Sequence, residues 1–112
     1  MKTDITQVPG CKNTTAQMIM KSPGLNVMHI SVAPQGEIPV HQHDCAATMY
    51  VTRGSAWTCG TEVRKVSKGD VIIKKPNEPH GFNRIEEDFE FVSVSDHDGI
   101  LGEHGWDMTY LP

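Results

Sequence analysis

Turn-forming residues interrupt this chain about every ten positions, at Ser22-Pro23-Gly24, Pro34-Gln35-Gly36, Arg53-Gly54, Cys59-Gly60, Lys68-Gly69, Pro76-Asn77 and residues 86–88. An amphipathic helix needs about ten or more uninterrupted residues with apolar side chains at every third or fourth place, and that periodicity is nearly absent. Between the breaks lie short runs of β-branched and aromatic residues, which read as strands at 17–20, 26–33, 46–52, 56–58, 62–66, 70–74, 81–84, 89–95 and 108–111. The chain is therefore expected to be all-β. Its 112 residues have room for a single domain spanning 1–112. Closing so many short antiparallel strands into a barrel or a double-sheet jelly roll limits exposed edges, and such a barrel encloses a pocket. Met49, Trp57, Ile73, Phe82, Phe89 and Phe91 are the candidates for its apolar wall. The polar, glycine-rich stretch 95–105 reads as a loop leading to the last strand.

Charge narrows the partners. Ten Lys plus Arg against fourteen Asp plus Glu give a net charge of -4, with no basic block, so a phosphate backbone has no electrostatic footprint here and nucleic acid is excluded as an expected partner. The first ten residues carry Asp4 where a signal peptide needs an apolar run, and no window approaches a membrane span. No membrane contact and a cytoplasmic location are the expectations. Cys11, Cys45 and Cys59 are odd in number with no CxxC pair, which argues for free thiols rather than a disulfide framework or a zinc ribbon.

Three of the six histidines are placed for chemistry. Residues two apart on a strand point to the same face, so His41 and His43 can present two imidazoles side by side, with His80 converging from another strand after a proline turn. By spacing alone His-x-His describes two surface histidines equally well. Three neutral imidazoles with open positions beside them suit a divalent transition metal, Fe, Zn, Ni, Mn or Cu, better than Ca or Mg.

The surrounding residues resemble the cupin family. Gly36-x4-His41-x-His43-x3-Ala47-x6-Gly54 is similar to its first motif, and Gly69-Asp70-Val71-Ile72-Ile73 followed by Pro76-x2-Pro79-His80-Gly81-Phe82-Asn83 is similar to its second. The resemblance implies a double-stranded β-helix, that is, a jelly-roll barrel, with a metal held by His41, His43 and His80. The departures are informative. Ala47 stands where the family usually has a glutamate ligand, Lys75 and Asn77 replace a proline and a glycine, Arg84 replaces an asparagine, and Gly36 to His41 is one residue short. Asn77 is a mild change because Asn tolerates the left-handed conformation. Loss of the glutamate leaves a divalent site near +2 rather than +1, which favours bound hydroxide or an anionic substrate. The family's three-histidine members include dioxygenases of thiols or diketones.

Cys45, Ala47, Trp57 and Phe82 are candidates to line the pocket beside the metal; Cys45 shares the parity of His43 and Ala47, although a buried cysteine is more often a small hydrophobe. Arg53, Lys74, Lys75 and Arg84 are isolated basic residues at turns, expected to be solvated. His29 has no assigned role, and His97 and His104 fall in the polar tail. Met18, Met20, Trp106 and Tyr110 need cover near the ends, from which a homodimer is expected. The sequence thus reads as a metal-dependent enzyme, of dioxygenase, isomerase or lyase type, acting on a small molecule, for which the site charge makes an anion one option. The rival reading is a cupin that binds a metal or ligand for sensing, without turnover.

Overall fold

The computed structural model describes residues 4–96, 101–102 and 105–112. Among the described residues twelve strands follow one another: β1 (Thr6–Gln7), β2 (Lys12–Ser22), β3 (Leu25–Gln42), β4 (Ala47–Arg53), β5 (Ser55–Gly60), β6 (Lys65–Ser67), β7 (Val71–Lys74), β8 (His80–Asn83), β9 (Phe89–Ser95), β10 (Leu101–Gly102), β11 (Gly105–Trp106) and β12 (Thr109–Tyr110). All pairings are antiparallel, and the chain has the all-β jelly-roll fold. Among the described residues no helix is long and apolar enough to cross a membrane.

Strand β3 organises the barrel. Its first half pairs with β2 and β9, continuing through β4 to β7, and its second half pairs with β8 and β12, β8 leading on to β5 and β6. The two walls therefore share one strand. The expected break at Pro34-Gln35-Gly36 is a kink within that strand, because Gln35 takes a positive φ of 69° while its N–H still donates to the Ile85 carbonyl at 2.8 Å. Satisfying the backbone at the kink lets the chain change walls without ending the strand. Residues 101–102 and 105–106, inside the stretch expected to be loop, pair as a short ladder. His97 and His104 lie outside the described residues.

The inner faces supply the core. On β9 the alternation FEFVSVS buries Phe89, Phe91, Ser93 and Ser95 and leaves the residues between them partly open. Phe82, Phe89 and Phe91 form a trio with ring centroids 5.1–5.5 Å apart, tilted against one another as aromatic quadrupoles prefer. Met49 is buried as expected, but Trp57 and Ile73 are not interior residues. On β5 it is Ala56 and Thr58 that turn inward, so Trp57 lies on the outer side under the Arg84 guanidinium, 5.1 Å from its ring centre. On β7 the inward residues are Ile72 and Lys74, and Ile73 is 70% exposed. In both short strands either phase carries an apolar residue, so composition alone does not set the register.

The termini are better covered than expected. Met18 is buried, Trp106 packs against the core, and the Tyr110 hydroxyl donates to the Pro9 carbonyl beside Cys11. Met20 remains 40% exposed, and further exposed apolar side chains gather on the outer face of β4 and β7, where Tyr50 and Val71 are cross-strand partners next to Ile73.

Candidate metal centre

His41 lies near the end of β3, in register with His80 on β8 and with Tyr110 on β12. His43 is one residue beyond the strand and keeps its parity, so both imidazoles enter the barrel. The Lys75–Pro79 turn sets His80. Asn77 there has φ 61°, the left-handed conformation asparagine tolerates, and its N–H donates to the His43 carbonyl at 2.8 Å. One turn thus ties two of the three histidines together.

The three imidazoles are buried, and their ring centroids are 4.5–5.0 Å apart. One ligand atom from each lies within 4.8 Å of the others, and among the described residues this cluster contains no cysteine or carboxylate. His41 Nδ1 lies 2.8 Å from the Pro39 carbonyl and His80 Nδ1 2.8 Å from the Glu78 carbonyl. A carbonyl only accepts, so both Nδ1 atoms carry the proton and both Nε2 lone pairs face inward. Neither buried nitrogen of His43 makes a well-formed hydrogen bond, the Asp107 backbone being its one polar neighbour of note. Such an imidazole next to two inward lone pairs is a costly arrangement for a structural core and a fitting one for a cation. The donor set suits a divalent transition metal, and the two backbone carbonyls provide the outer hydrogen bonds that orient such ligands.

Electrostatics keep the site ready. Burial lowers the His41 pKa; burial, then the neighbouring His41, brings His43 down to about 4; and burial, then the other two imidazoles and Lys74, brings His80 down to about 3. All three are neutral at pH 7, the form that coordinates. Cys45 is buried and outside the donor cluster, and its thiol is pushed up to about 11 by burial and by Asp96, Asp107 and Asp44. It packs as a small hydrophobe. Ala47 is buried on the inward face of β4 with Met49, as its parity requires, at the end of the strand facing Lys74 on β7.

Above the imidazoles lies a narrow cavity of about 40 Å³. Its wall is apolar, including Met28, Ile30, Phe82, Phe91, Trp106 and Met108. Of the four expected pocket residues only Phe82 lines it; Cys45, Ala47 and Trp57 do not. His29 faces outward, its Nε2 3.0 Å from Glu90 Oε1.

Sequence reasoning missed two groups. Lys74, expected to be solvated, is only 3% exposed, with Nζ 3.4 Å from Glu78 and 3.7 Å from Glu62. Glu78 also accepts from the Lys75 N–H and the Thr61 hydroxyl, which hold its carboxyl at about 2 and lock the turn that carries His80. The parity of Lys74 with Ile72 was the available signal. The second is Ser93, which lines the cavity and shares parity with Phe89 and Phe91.

Comparison with known proteins agrees with this geometry. The polyketide cyclase RemF from Streptomyces resistomycificus is 25% identical, 81% of this chain aligning with 70% of that chain at a TM-score of 0.71. A Klebsiella pneumoniae subsp. pneumoniae MGH 78578 protein with a double-stranded β-helix domain is 26% identical, over 96% of this chain and 91% of that one, at a TM-score of 0.73. The DMSP lyase DddQ from Ruegeria pomeroyi DSS-3 shares the fold at 17% identity and a TM-score of 0.72, over 78% of this chain and 48% of that one. No curated protein matches. The cupin-domain profile matches residues 28–95, which hold all three histidines and strands β4 to β9. The chain belongs to the cupin family.

Proposed function

We propose that this cupin is a metal-dependent enzyme that acts on a small molecule held in the apolar cavity beside His41, His43 and His80. The observation that carries the reading is the convergence of three neutral, buried imidazoles on one point at a cavity wall, with neither nitrogen of His43 in a well-formed hydrogen bond. Bound there, a divalent ion supplies polarisation of a substrate oxygen and acidification of its water. The protein's part is to hold three donors, exclude bulk water and orient the substrate. Pro39 and Glu78 fix the ring orientations, and the methionine, phenylalanine and tryptophan wall keeps the dielectric low. Among the described residues no carboxylate lines the cavity, so none of those residues is placed to act there as a Glu or Asp base. The 25% identical polyketide cyclase shows that a similar barrel serves an enzyme.

The rival is a binding cupin that retains its ligand without turnover. Elemental analysis of freshly purified protein, followed by chelation, separates the two. An enzyme shows a stoichiometric transition metal, an exchangeable water seen by solvent-proton relaxation, and turnover abolished by chelation and restored by the ion. A tightly retained ligand with no exchangeable water would overturn the enzymatic reading.

A further inference from the structure

The cavity's polar inventory is short. No Lys, Arg, Asp or Glu among the described residues lines it, and besides the three imidazoles and the Trp106 indole its polar side chains are Cys11, Thr14 and Ser93. Two of these are committed within the protein. Cys11 Sγ lies 3.4 Å from the Tyr110 hydroxyl, and Thr14 Oγ1 donates to the Lys12 carbonyl at 2.8 Å. Ser93 is different. It is 1% exposed, its Oγ has no hydrogen-bond partner in the protein, and it stands in an apolar row between its cross-strand neighbours Met28 and Met49. A buried hydroxyl without a partner is destabilising, and alanine would fill the same place on β9 at no such cost. Residues that lower stability in this way cluster where a ligand uses them.

We propose that Ser93 is a recognition residue for the substrate, and that the substrate is a small monoanion with an oxygen-donor head, a short uncharged apolar body and one further oxygen that bonds Ser93 Oγ. This rests on the metal-centre reading for the head group and goes beyond it in naming the class. His41 and His80 come from the wall built on β8 and the second half of β3, whereas Ser93 comes from the wall built on β9, so head and body are gripped by different walls. A second carboxylate would find no Lys or Arg among the described lining residues. The cavity has space for only about three water-sized occupants, but Met28, Met49 and Met108 line it, and unbranched thioethers readily adjust to a slightly larger guest.

The test uses the Co(II)-loaded protein, with butyrate, acetoacetate and succinate titrated against the visible spectrum of the ion, in wild type and Ser93→Ala. Acetoacetate is expected to bind about tenfold tighter than butyrate to wild type and about equally in Ser93→Ala, with succinate the weakest in both. If acetoacetate keeps its advantage in Ser93→Ala, its preference comes from chelation and the role of Ser93 is overturned while the metal-centre reading stands. If no carboxylate perturbs the spectrum of wild type, the anionic head group is refuted and this inference falls while the metal centre stands; if the protein takes up no Co(II), the metal-centre reading falls and takes this inference with it. Ligand-free Ser93→Ala is expected to melt no lower than wild type. A drop of more than about 4 °C, on the order of 1 kcal/mol for a domain of this size, would show that the protein itself holds the hydroxyl and would also overturn the proposal.

Discussion

Gly60 couples the scaffold to the metal centre, and Gly60→Ala should damage both. Gly60 ends β5 opposite His80, with φ at 104°, where L side chains are strained. A Cβ added there would run into the Pro79 carbonyl oxygen, and would sit 2.8 Å from the Pro79 carbonyl carbon and 2.9 Å from His80 Cα. Ordinary contact begins at 3.4 Å, so His80 Cα would have to retreat by 3.4 − 2.9 = 0.5 Å. The conformational strain costs about 1–3 kcal/mol and the forced backbone shift about 1–3 kcal/mol more. Gly69→Ala is the control, because Gly69 has a similar φ of 96° with nothing within 4 Å of an added Cβ. It should carry the strain alone. Thermal melts should therefore place Gly60→Ala below Gly69→Ala by about 4–12 °C, from the 1–3 kcal/mol that separates them. Metal competition should show affinity reduced about 10–100-fold in Gly60→Ala, as for a misplaced supporting shell, and unchanged in Gly69→Ala. Equal melting of the two variants with unaltered metal affinity would refute the reasoning.

Three other outcomes follow from the packing. Phe89 is fully buried in the aromatic trio but does not line the cavity, so Phe89→Ala should lose about 3–5 kcal/mol in urea unfolding while the folded fraction binds metal normally; weakened binding in that fraction would contradict it. Ala47→Glu places a carboxylate on the inward face of β4 at the family's usual ligand position, at an overpacking cost of about 1–3 kcal/mol, and should shift preference from Zn toward Mn; competition titrations showing the same preference in a folded variant would mean that residue 47 does not reach the ion. Burial, opposed in Cys11 by its Tyr110 contact and reinforced in both thiols by Glu37, raises the pKa of Cys11 and Cys59 above the ordinary 9.0, so the thiolate is the minor form at neutral pH. Alkylation should then climb about tenfold per pH unit through the neutral range, and a plateau below pH 9 would overturn the assignment.

Strand β9 was legible in the sequence to the residue, because FEFVSVS alternates without ambiguity between two breaks. The same parity rule brought His41 and His43 to one face. It failed at Trp57 and Ile73 because strands of six and four residues each offer two apolar phases, and only the partner strands decide between them. Pro34-Gln35-Gly36 reads in the sequence as the end of a strand, whereas β3 runs through it, since the Gln35 hydrogen bond to Ile85, fifty residues away, keeps the backbone paired. Lys74 was misplaced for a related reason. Its burial depends on Glu62 and Glu78, carboxylates that the fold brings to it. Ser93 could be assigned to the inner face from its parity, but its lack of a partner is a property of the three-dimensional surroundings.

The central claim is that one transition metal is held jointly by His41, His43 and His80, and metal content per chain tests it most directly. Wild type and the variants His41→Ala, His43→Ala and His80→Ala, purified identically and shown by circular dichroism to keep their β structure, should be compared by elemental analysis. About one ion per chain is expected in wild type, with occupancy falling sharply in each variant, since removing one of three imidazoles leaves two donors and a cavity. Equal metal content in all four folded proteins would contradict the account.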